Sequence, residues 1–267
     1  IDNTVKYLYG LSDGEKVESV LMDYKHGNSL CISTQVGCKM GCRFCASTIA
    51  GYKRDLLPSE ILQQVYSAER NSGRHVDSIV LMGIGEPLDN FDNVMRFLEI
   101  LSCEKGRNMS LRHVSLSTCG LVDRINELAE RRTGLTLSVS LHAATDEKRS
   151  EIMPVNNRYN IAELMSACRK YIDKTGRRIS FEYAVIKDVN DRKADADALL
   201  KLLKGMNCHL NLIPVNEIKE RDFRADRNSL HSFAKYLSDK GLNVTIRRTL
   251  GADIDAACGQ LRREYEI

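Results

Sequence analysis

The sequence predicts an α/β fold in which a largely parallel β-sheet is flanked by helices. From Cys31 to the carboxyl end, apolar runs rich in β-branched residues alternate with segments that repeat apolar residues every three or four positions. This strand–helix alternation occurs six times in succession, and consecutive parallel strands need a crossover helix between them. Periodicity alone leaves open whether the sheet stays open or curls into a partial barrel.

The individual elements follow from local patterns. Pro58 and Ser59 are good entry residues for the first helix, and several helices are expected to end at glycine, as at Gly73 and Gly176. The predicted strands are residues 30–35, 77–83, 112–118, 135–141, 178–186 and 209–215, with a seventh at 243–248. The predicted helices are residues 58–73, 91–103, 121–132, 160–176, 192–205 and 227–241.

The segment before the first strand–helix unit is expected to form a β-hairpin. Residues 4–11 and 15–24 alternate apolar and polar positions around a short turn-forming stretch. We assign residues 1–30 to this amino-terminal extension, packed on one catalytic domain of residues 31–267. No low-complexity linker divides that domain.

Composition restricts the class of protein. The chain has 267 residues, 43% of them hydrophobic, and no apolar run near the ~18 residues that a membrane helix needs. Nine cysteines are an odd number in a long chain, which argues against a secreted disulfide scaffold and favours a reducing cytoplasm. The net charge of +3 permits a nucleic-acid partner without arguing for one.

Three cysteines follow the first predicted strand with the spacing C-x3-C-x2-C. They are Cys38, Cys42 and Cys45, and Cys31 stands seven residues upstream of the first of them. Three thiolates on one loop can hold three irons of a cubane cluster and leave the fourth iron open. Zinc is the alternative, although a structural zinc site needs four protein ligands, and unligated thiols are a third possibility.

The stretch "CRFC", with Phe44 before the last cysteine, resembles the cysteine loop of the radical S-adenosylmethionine (SAM) superfamily. This resemblance implies a [4Fe-4S] cluster held by the three loop cysteines and a SAM molecule bound to its open iron. The segment "LMGIGEPL" is similar to the superfamily's motif for the methionine amino group, which implies that Gly85 and Glu86 bind SAM.

Four motifs together narrow the resemblance to one family. "CISTQVGCKMGCRFCAS", "GIGEPLDN", "NLIPVN" and "DIDAACGQL" look like the bacterial radical SAM methyltransferases that methylate C2 of adenosine in large-subunit rRNA and in tRNA. The family implies a partial (β/α)6 barrel with a carboxyl-terminal strand and a cysteine-bearing tail. It also implies that Cys258 carries the methyl group, that Cys31 forms a transient disulfide with Cys258, and that Glu18 accepts the C2 proton.

The same resemblance implies further cofactor contacts and partners. Two SAM molecules would be used per turnover, with a low-potential electron donor such as flavodoxin, and the enzyme would be a monomer in the cytoplasm. Basic pairs at residues 53–54, 247–248 and 262–263 are candidates for contact with RNA phosphates. The implied SAM contacts beyond the glycine-rich turn are Ser117, Ser140, Leu141, His142 and Asn216.

The chain departs from the family in one respect, and two rivals stay open. The family's amino-terminal RNA-binding extension has no counterpart before Val5 here, so we expect this sequence either to begin inside a longer protein or to be a catalytic core. A sister family methylates C8 of the same rRNA adenosine, but Pro87 and "NLIPVN" favour C2 here. A zinc-stabilised RNA-binding module is the rival outside enzymes.

Overall fold

The computed structural model describes residues 2–262, so Arg263 of the last basic pair lies outside the described residues. The described chain forms two compact units. The first comprises the residues up to Lys39, Cys45–Ser117 and the residues from Leu250 onward, and the second comprises Met40–Phe44 and Thr118–Thr249. The cysteine loop therefore passes from the first unit to the second and back.

The first unit contains an antiparallel meander that continues into a parallel sheet. β1 pairs with β2 and β2 with β3 in antiparallel fashion, whereas β3, β6 and β7 are parallel. Its strands are β1 (Val5–Gly10), β2 (Lys16–Tyr24), β3 (Gly27–Cys31), β4 (Gln35–Val36), β5 (Arg54–Asp55), β6 (Ser78–Leu81) and β7 (Val114–Thr118). Its helices are α1 (Pro58–Ser72) and α2 (Phe91–Ser102).

The second unit contains a parallel sheet and its crossover helices. The adjacent pairs β8–β9, β9–β10 and β10–β11 are all parallel. Its strands are β8 (Thr136–Ser140), β9 (Ile179–Val185), β10 (Cys208–Pro214) and β11 (Val244–Ile246). Its helices are α3 (Val122–Arg131), α4 (Asp146–Ile152), α5 (Ile161–Thr175), α6 (Lys193–Leu203) and α7 (Arg227–Asp239).

The predicted α/β fold class is confirmed, with two local differences. The first predicted strand is displaced: β3 begins at Gly27, which has a φ of 120°, and ends at Cys31, because its residues pair with β2 as a third antiparallel strand. Helix α4 was not predicted, because its seven residues are mostly charged and show no apolar repeat. None of the helices in the described part of the chain combines the length and hydrophobicity that a membrane crossing needs.

Candidate active site

Glycine allows the cysteine loop to turn closely on itself. In the first unit Gly37 has a φ of 76°, and a Cβ there would stand 1.8 Å from the carbonyl oxygen of Gly51. Only glycine fits so close a backbone approach at positive φ. The short antiparallel pair of β4 and β5 fixes the same part of the loop, and Cys38 is buried just beyond it.

The part of the loop in the second unit packs on apolar side chains. Cys42 and Phe44 lie against a buried cluster that includes Met153, and the backbone N–H of Arg43 donates to the carbonyl of Ile152 at 2.9 Å. These contacts hold the middle of the loop on the segment that follows α4.

The chemistry of the loop fits an iron–sulfur cluster. Thiolates are the ligands that iron–sulfur clusters take, and the three loop cysteines lie within eight residues of sequence. Elsewhere in residues 2–262, and in this loop itself, no three His, Cys, Asp or Glu side chains are arranged to hold a single metal ion. The assignment of cluster ligands therefore depends on residue type and spacing.

The glycine-rich turn after β6 is fixed by Gln35. Gly85 has a φ of 106°, and a Cβ there would stand 2.6 Å from the Gln35 side chain. Oε1 of Gln35 accepts the backbone N–H of Glu86 at 2.8 Å, while its Nε2 donates to Asp55 and Asp89, also at 2.8 Å. Glu86 is itself 4% exposed, so this turn is held rigidly where the SAM-binding motif was predicted.

Replacing Gln35 by leucine is expected to destabilise the protein and weaken SAM binding. The change removes three hydrogen bonds, one of them from the backbone N–H of the buried Glu86, at a cost of about 1–3 kcal/mol. Thermal unfolding and equilibrium binding of SAM measure the two effects. Gln63→Leu on α1 is the control, because Gln63 only donates to Ser67 within its own helix. Equal SAM affinity in both variants would contradict the assigned role of this turn.

The tail that carries Cys258 is bonded to the residues that follow Cys45. The backbone N–H of Ala46 donates to the carbonyl of Gly259 at 2.7 Å, and the hydroxyl of Ser47 donates to the carbonyl of Leu261 at 2.8 Å. Burial raises the pKa of the Cys45 thiol; hydrogen bonds with Ser47 oppose the rise, and the neighbouring Cys258 thiol adds to it. The predicted methyl carrier thus lies beside a predicted cluster ligand.

The tail also packs around the second predicted reactive thiol. Cys31 ends β3 inside an apolar cluster that includes Ala256 and Leu261 of the tail. Cys31 is 9% exposed, whereas Cys258 is exposed. The two cysteines are therefore on segments that already contact each other, although their sulfurs are not bonded.

Glu18 is a buried carboxylate. It lies in the middle of β2 with no exposed surface, which excludes the alternative of a solvent-facing charge on a hairpin strand. One oxygen forms an ion pair with Nζ of Lys6 at 2.6 Å, and the other accepts the backbone N–H of Arg262 at 2.7 Å. Burial raises the pKa of Glu18, and these two partners partly oppose the rise. A raised pKa suits a group that must take up a proton.

In the second unit His142 is a neutral imidazole of defined tautomer. Its Nδ1 accepts the backbone N–H of Ala184 at 2.8 Å, so the ring proton is on Nε2. Burial, helped by the charge of Arg149, lowers the pKa of His142 to about 3. The ring meets Phe44 edge-on, with 4.7 Å between ring centroids. His142 can therefore donate one hydrogen bond from Nε2 at any physiological pH.

Arg149 of α4 supports the segment that precedes His142. Its side chain is fully buried and donates to the carbonyls of Ser140, Leu141 and Cys119 at 2.7–3.1 Å. The other predicted cofactor contacts are partly exposed: Ser117 lies in β7 of the first unit, and Asn216 follows β10 of the second.

Several residues of the site were not predicted. Lys6 and Gln35 act through contacts that depend on strand register and loop course, and Arg149 binds mainly carbonyls, which leave no sequence signal. The polar face of the second unit's sheet did leave a signal, because serine, acid and amide residues alternate along the predicted strands 178–186 and 209–215. On that face Glu182 is buried and accepts hydrogen bonds from Ser180 and Asn211.

Known proteins match this chain along nearly its whole length. A "Probable dual-specificity RNA methyltransferase RlmN" from Clostridium botulinum (strain Eklund 17B / Type B) is 58% identical over 266 residues, 99% of this chain and 77% of that protein. The protein of that name from Desulforamulus reducens is 56% identical over 265 residues, 99% of this chain and 76% of that protein.

Family and structure comparisons agree with these relatives. The model of the Radical SAM superfamily matches residues 32–203. The crystal structure of a radical SAM methyltransferase from Sphaerobacter thermophilus, 44% identical, superposes with a TM-score of 0.95 and covers 98% of this chain and 78% of that chain. These matches confirm the predicted fold, and they exclude the alternative that the chain is a zinc-stabilised RNA-binding module. The chain therefore belongs to the radical SAM superfamily and, within it, to the RlmN family, and it is a radical SAM RNA methyltransferase.

Proposed function

We propose that this enzyme methylates C2 of adenosine in large-subunit rRNA and in tRNA. The observation that carries the proposal is the course of the tail, which places Cys258 beside the residues after Cys45 and packs around Cys31. The names of the relatives include dual specificity for RNA, which supports two classes of RNA substrate. Pro87 and "NLIPVN" support C2 over C8.

Superfamily membership implies a [4Fe-4S] cluster and SAM. We assign Cys38, Cys42 and Cys45 to the cluster, and Gly85 and Glu86 to the methionine end of SAM. When bound, the cluster would donate an electron to SAM, and SAM would supply a carbon-centred radical that abstracts hydrogen. We assign the remaining SAM contacts to Ser117, Ser140, Leu141, His142 and Asn216.

A cysteine carrier is suited to this target carbon. C2 of adenine lies between two ring nitrogens, is electron-poor and bears no lone pair, so an electrophilic methyl group has nothing to attack. A carbon radical can add to it. Cys258 supplies that carbon if its thiolate first takes a methyl group from one SAM molecule and then loses a hydrogen atom from it, which accounts for two SAM molecules per turnover.

Glu18 and Cys31 complete the sequence of steps. After the methylene carbon on Cys258 has bonded to C2, Glu18 takes the C2 proton and the adduct gives its unpaired electron to a one-electron acceptor, such as an oxidised iron–sulfur centre. The Cys31 thiolate then attacks the Cys258 sulfur and the carbon–sulfur bond breaks with its electron pair on carbon. That carbon takes up a proton and stays on the RNA as the methyl group. A disulfide between Cys31 and Cys258 is left, and exchange of this kind requires a thiolate in close approach. External thiols must reduce this disulfide, which agrees with a reducing cytoplasm.

The position of the methyl group tests the proposal. We expect the purified enzyme, loaded with its cluster and supplied with SAM and a low-potential reductant such as flavodoxin, to form 2-methyladenosine in both rRNA and tRNA fragments. Nucleoside mass spectrometry against 2-methyl and 8-methyl standards measures the product. Formation of 8-methyladenosine would assign the chain the chemistry of the sister family, and modification of one RNA class alone would contradict dual specificity.

A further inference from the structure

Lys6 connects two parts of the proposed machinery that the reaction scheme treats separately. Its ammonium group lies 2.6 Å from one carboxylate oxygen of Glu18 and donates to the backbone carbonyl of Asp255 at 3.2 Å. Asp255 belongs to the tail, three residues before Cys258. One lysine therefore contacts both the proposed proton acceptor and the segment that carries the methyl.

Strand register explains why Lys6 reaches Glu18. In the β1–β2 pair, Lys6 is opposite Val20 and Leu8 is opposite Glu18, so Lys6 and Glu18 are diagonal neighbours on one face. A long side chain spans such a diagonal in an antiparallel pair. The carboxylate is fully buried, and only 18% of the Lys6 side chain is exposed, so solvent screens this ion pair far less than one at the surface.

Glu18 also holds the other end of the same segment. Its second oxygen accepts the backbone N–H of Arg262 at 2.7 Å, so one carboxylate is linked to residues on both sides of Cys258, directly to Arg262 and through Lys6 to Asp255. Among residues 2–262, the charged groups that act on this carboxylate are Lys6 from β1 and Arg262 from the tail. We call Lys6, Glu18, the Asp255 carbonyl and the Arg262 amide the Glu18 cluster.

The proposed reaction uses this segment in two successive steps. The exposed Cys258 first bonds through its methylene carbon to the RNA, and its sulfur must then be within bonding distance of the buried Cys31 for the proposed disulfide to form. In the proposed sequence, this step follows the transfer of the C2 proton to Glu18. When Glu18 has taken that proton it is neutral, and its ion pair with Lys6 is lost.

We propose that Lys6 is a positioning residue that ties the Glu18 carboxylate to the Cys258-bearing segment, and that neutralising Glu18 loosens the segment. The ordering of steps rests on the proposed function, whereas the contacts of the Glu18 cluster do not. The link would hold Cys258 in place until its carbon has bonded to the RNA, and would release it for attack by Cys31. Glu18 would then serve in both steps: it takes the C2 proton, and its neutral form releases the Cys258-bearing segment.

Hydrogen–deuterium exchange of the tail tests the proposal. In full-length, cluster-loaded enzyme, we expect Lys6→Met to speed exchange in the peptide covering residues 250–262 by roughly tenfold, because the opening free energy of this segment falls. Lys6→Arg keeps the charge and should restore slow exchange. Lys25→Met is the control, because Lys25 is an exposed lysine in the turn between β2 and β3.

The pH dependence of the same exchange separates this role from a merely structural one. After correction for intrinsic exchange, the wild-type tail should exchange faster as the pH falls through the pKa of Glu18. In Lys6→Met the midpoint should move up by about 1–3 pH units, because an opposite charge no longer favours the carboxylate. Glu18→Gln should abolish the dependence and exchange fast at every pH, and it serves as the second variant if Lys6→Met folds poorly.

The outcomes are distinct. Exchange in Lys6→Met equal to that in Lys25→Met, or a tail in Glu18→Gln that stays protected, would overturn the proposal. If the exchange results hold while the RNA product is not 2-methyladenosine, the link between Lys6, Glu18 and the tail stands and only the reaction assigned to Glu18 falls.

Discussion

Replacing Cys258 by alanine is expected to abolish RNA methylation while SAM is still cleaved at the cluster. Cys258 lies outside the C-x3-C-x2-C loop and is exposed, so its loss removes the methyl carrier without removing a cluster ligand or creating a cavity. The measurements are methylated nucleoside in RNA and 5′-deoxyadenosine released from SAM. We expect the first to fall to background and the second to persist.

The mass of the Cys258 peptide gives the same prediction a positive readout. Enzyme made in cells with ample iron and purified without oxygen should carry one methyl group on Cys258. Cys103→Ala is the matched control, because Cys103 is another exposed free thiol, at the end of α2, and should leave RNA methylation unchanged. An unmodified Cys258 in enzyme that holds its cluster and SAM would contradict the carrier mechanism, and so would residual RNA methylation by Cys258→Ala.

Much of the fold could be predicted because local signals and tertiary packing agree. Helices α1 and α5 end at Gly73 and Gly176, and both glycines have the left-handed backbone conformation that commonly terminates a helix. Strands β9 and β10 fall inside the predicted runs because their apolar residues recur at every second position, which is the period of a strand. The displaced start of β3 shows the limit, since its pairing with β2 depends on a partner distant from the local pattern.

Some features of the candidate site could likewise be predicted from the sequence, and others could not. The cysteine spacing and the glycine-rich turn are local in sequence, so they could be predicted from motifs. Burial of Glu18 and its link to Lys6 could not, because a charged residue in a hairpin strand is usually exposed and only the register brings the pair together. Arg149 was missed for a different reason: a buried arginine usually has an acidic partner, and this one bonds to backbone carbonyls and an amide side chain.

Replacing Arg149 by methionine is expected to cause the largest loss of stability of any change discussed. The guanidinium is fully buried and donates to three carbonyls and to Oδ1 of Asn156 at 3.0 Å. Methionine fills much of the volume but makes none of these four hydrogen bonds. Hydrogen bonds to a charged group contribute about 1.5–3 kcal/mol each, and the relief of burying the charge offsets part of their loss, so we expect a cost of about 3–5 kcal/mol. For a chain of this size we expect Tm to fall by about 10 °C.

The same change should also weaken SAM binding if the Ser140–His142 segment contacts the cofactor, because two of the carbonyls that lose the guanidinium belong to that segment. The stability and SAM affinity of Arg149→Lys should lie between those of the wild type and Arg149→Met, because an ammonium group keeps the positive charge but not the forked set of N–H donors. Arg96→Met on the exposed face of α2 controls for the loss of a cation. Normal SAM affinity in a destabilised Arg149→Met would show that Arg149 supports the fold alone. Reduced affinity at a temperature where the variant is folded would instead place the Ser140–His142 segment at the cofactor.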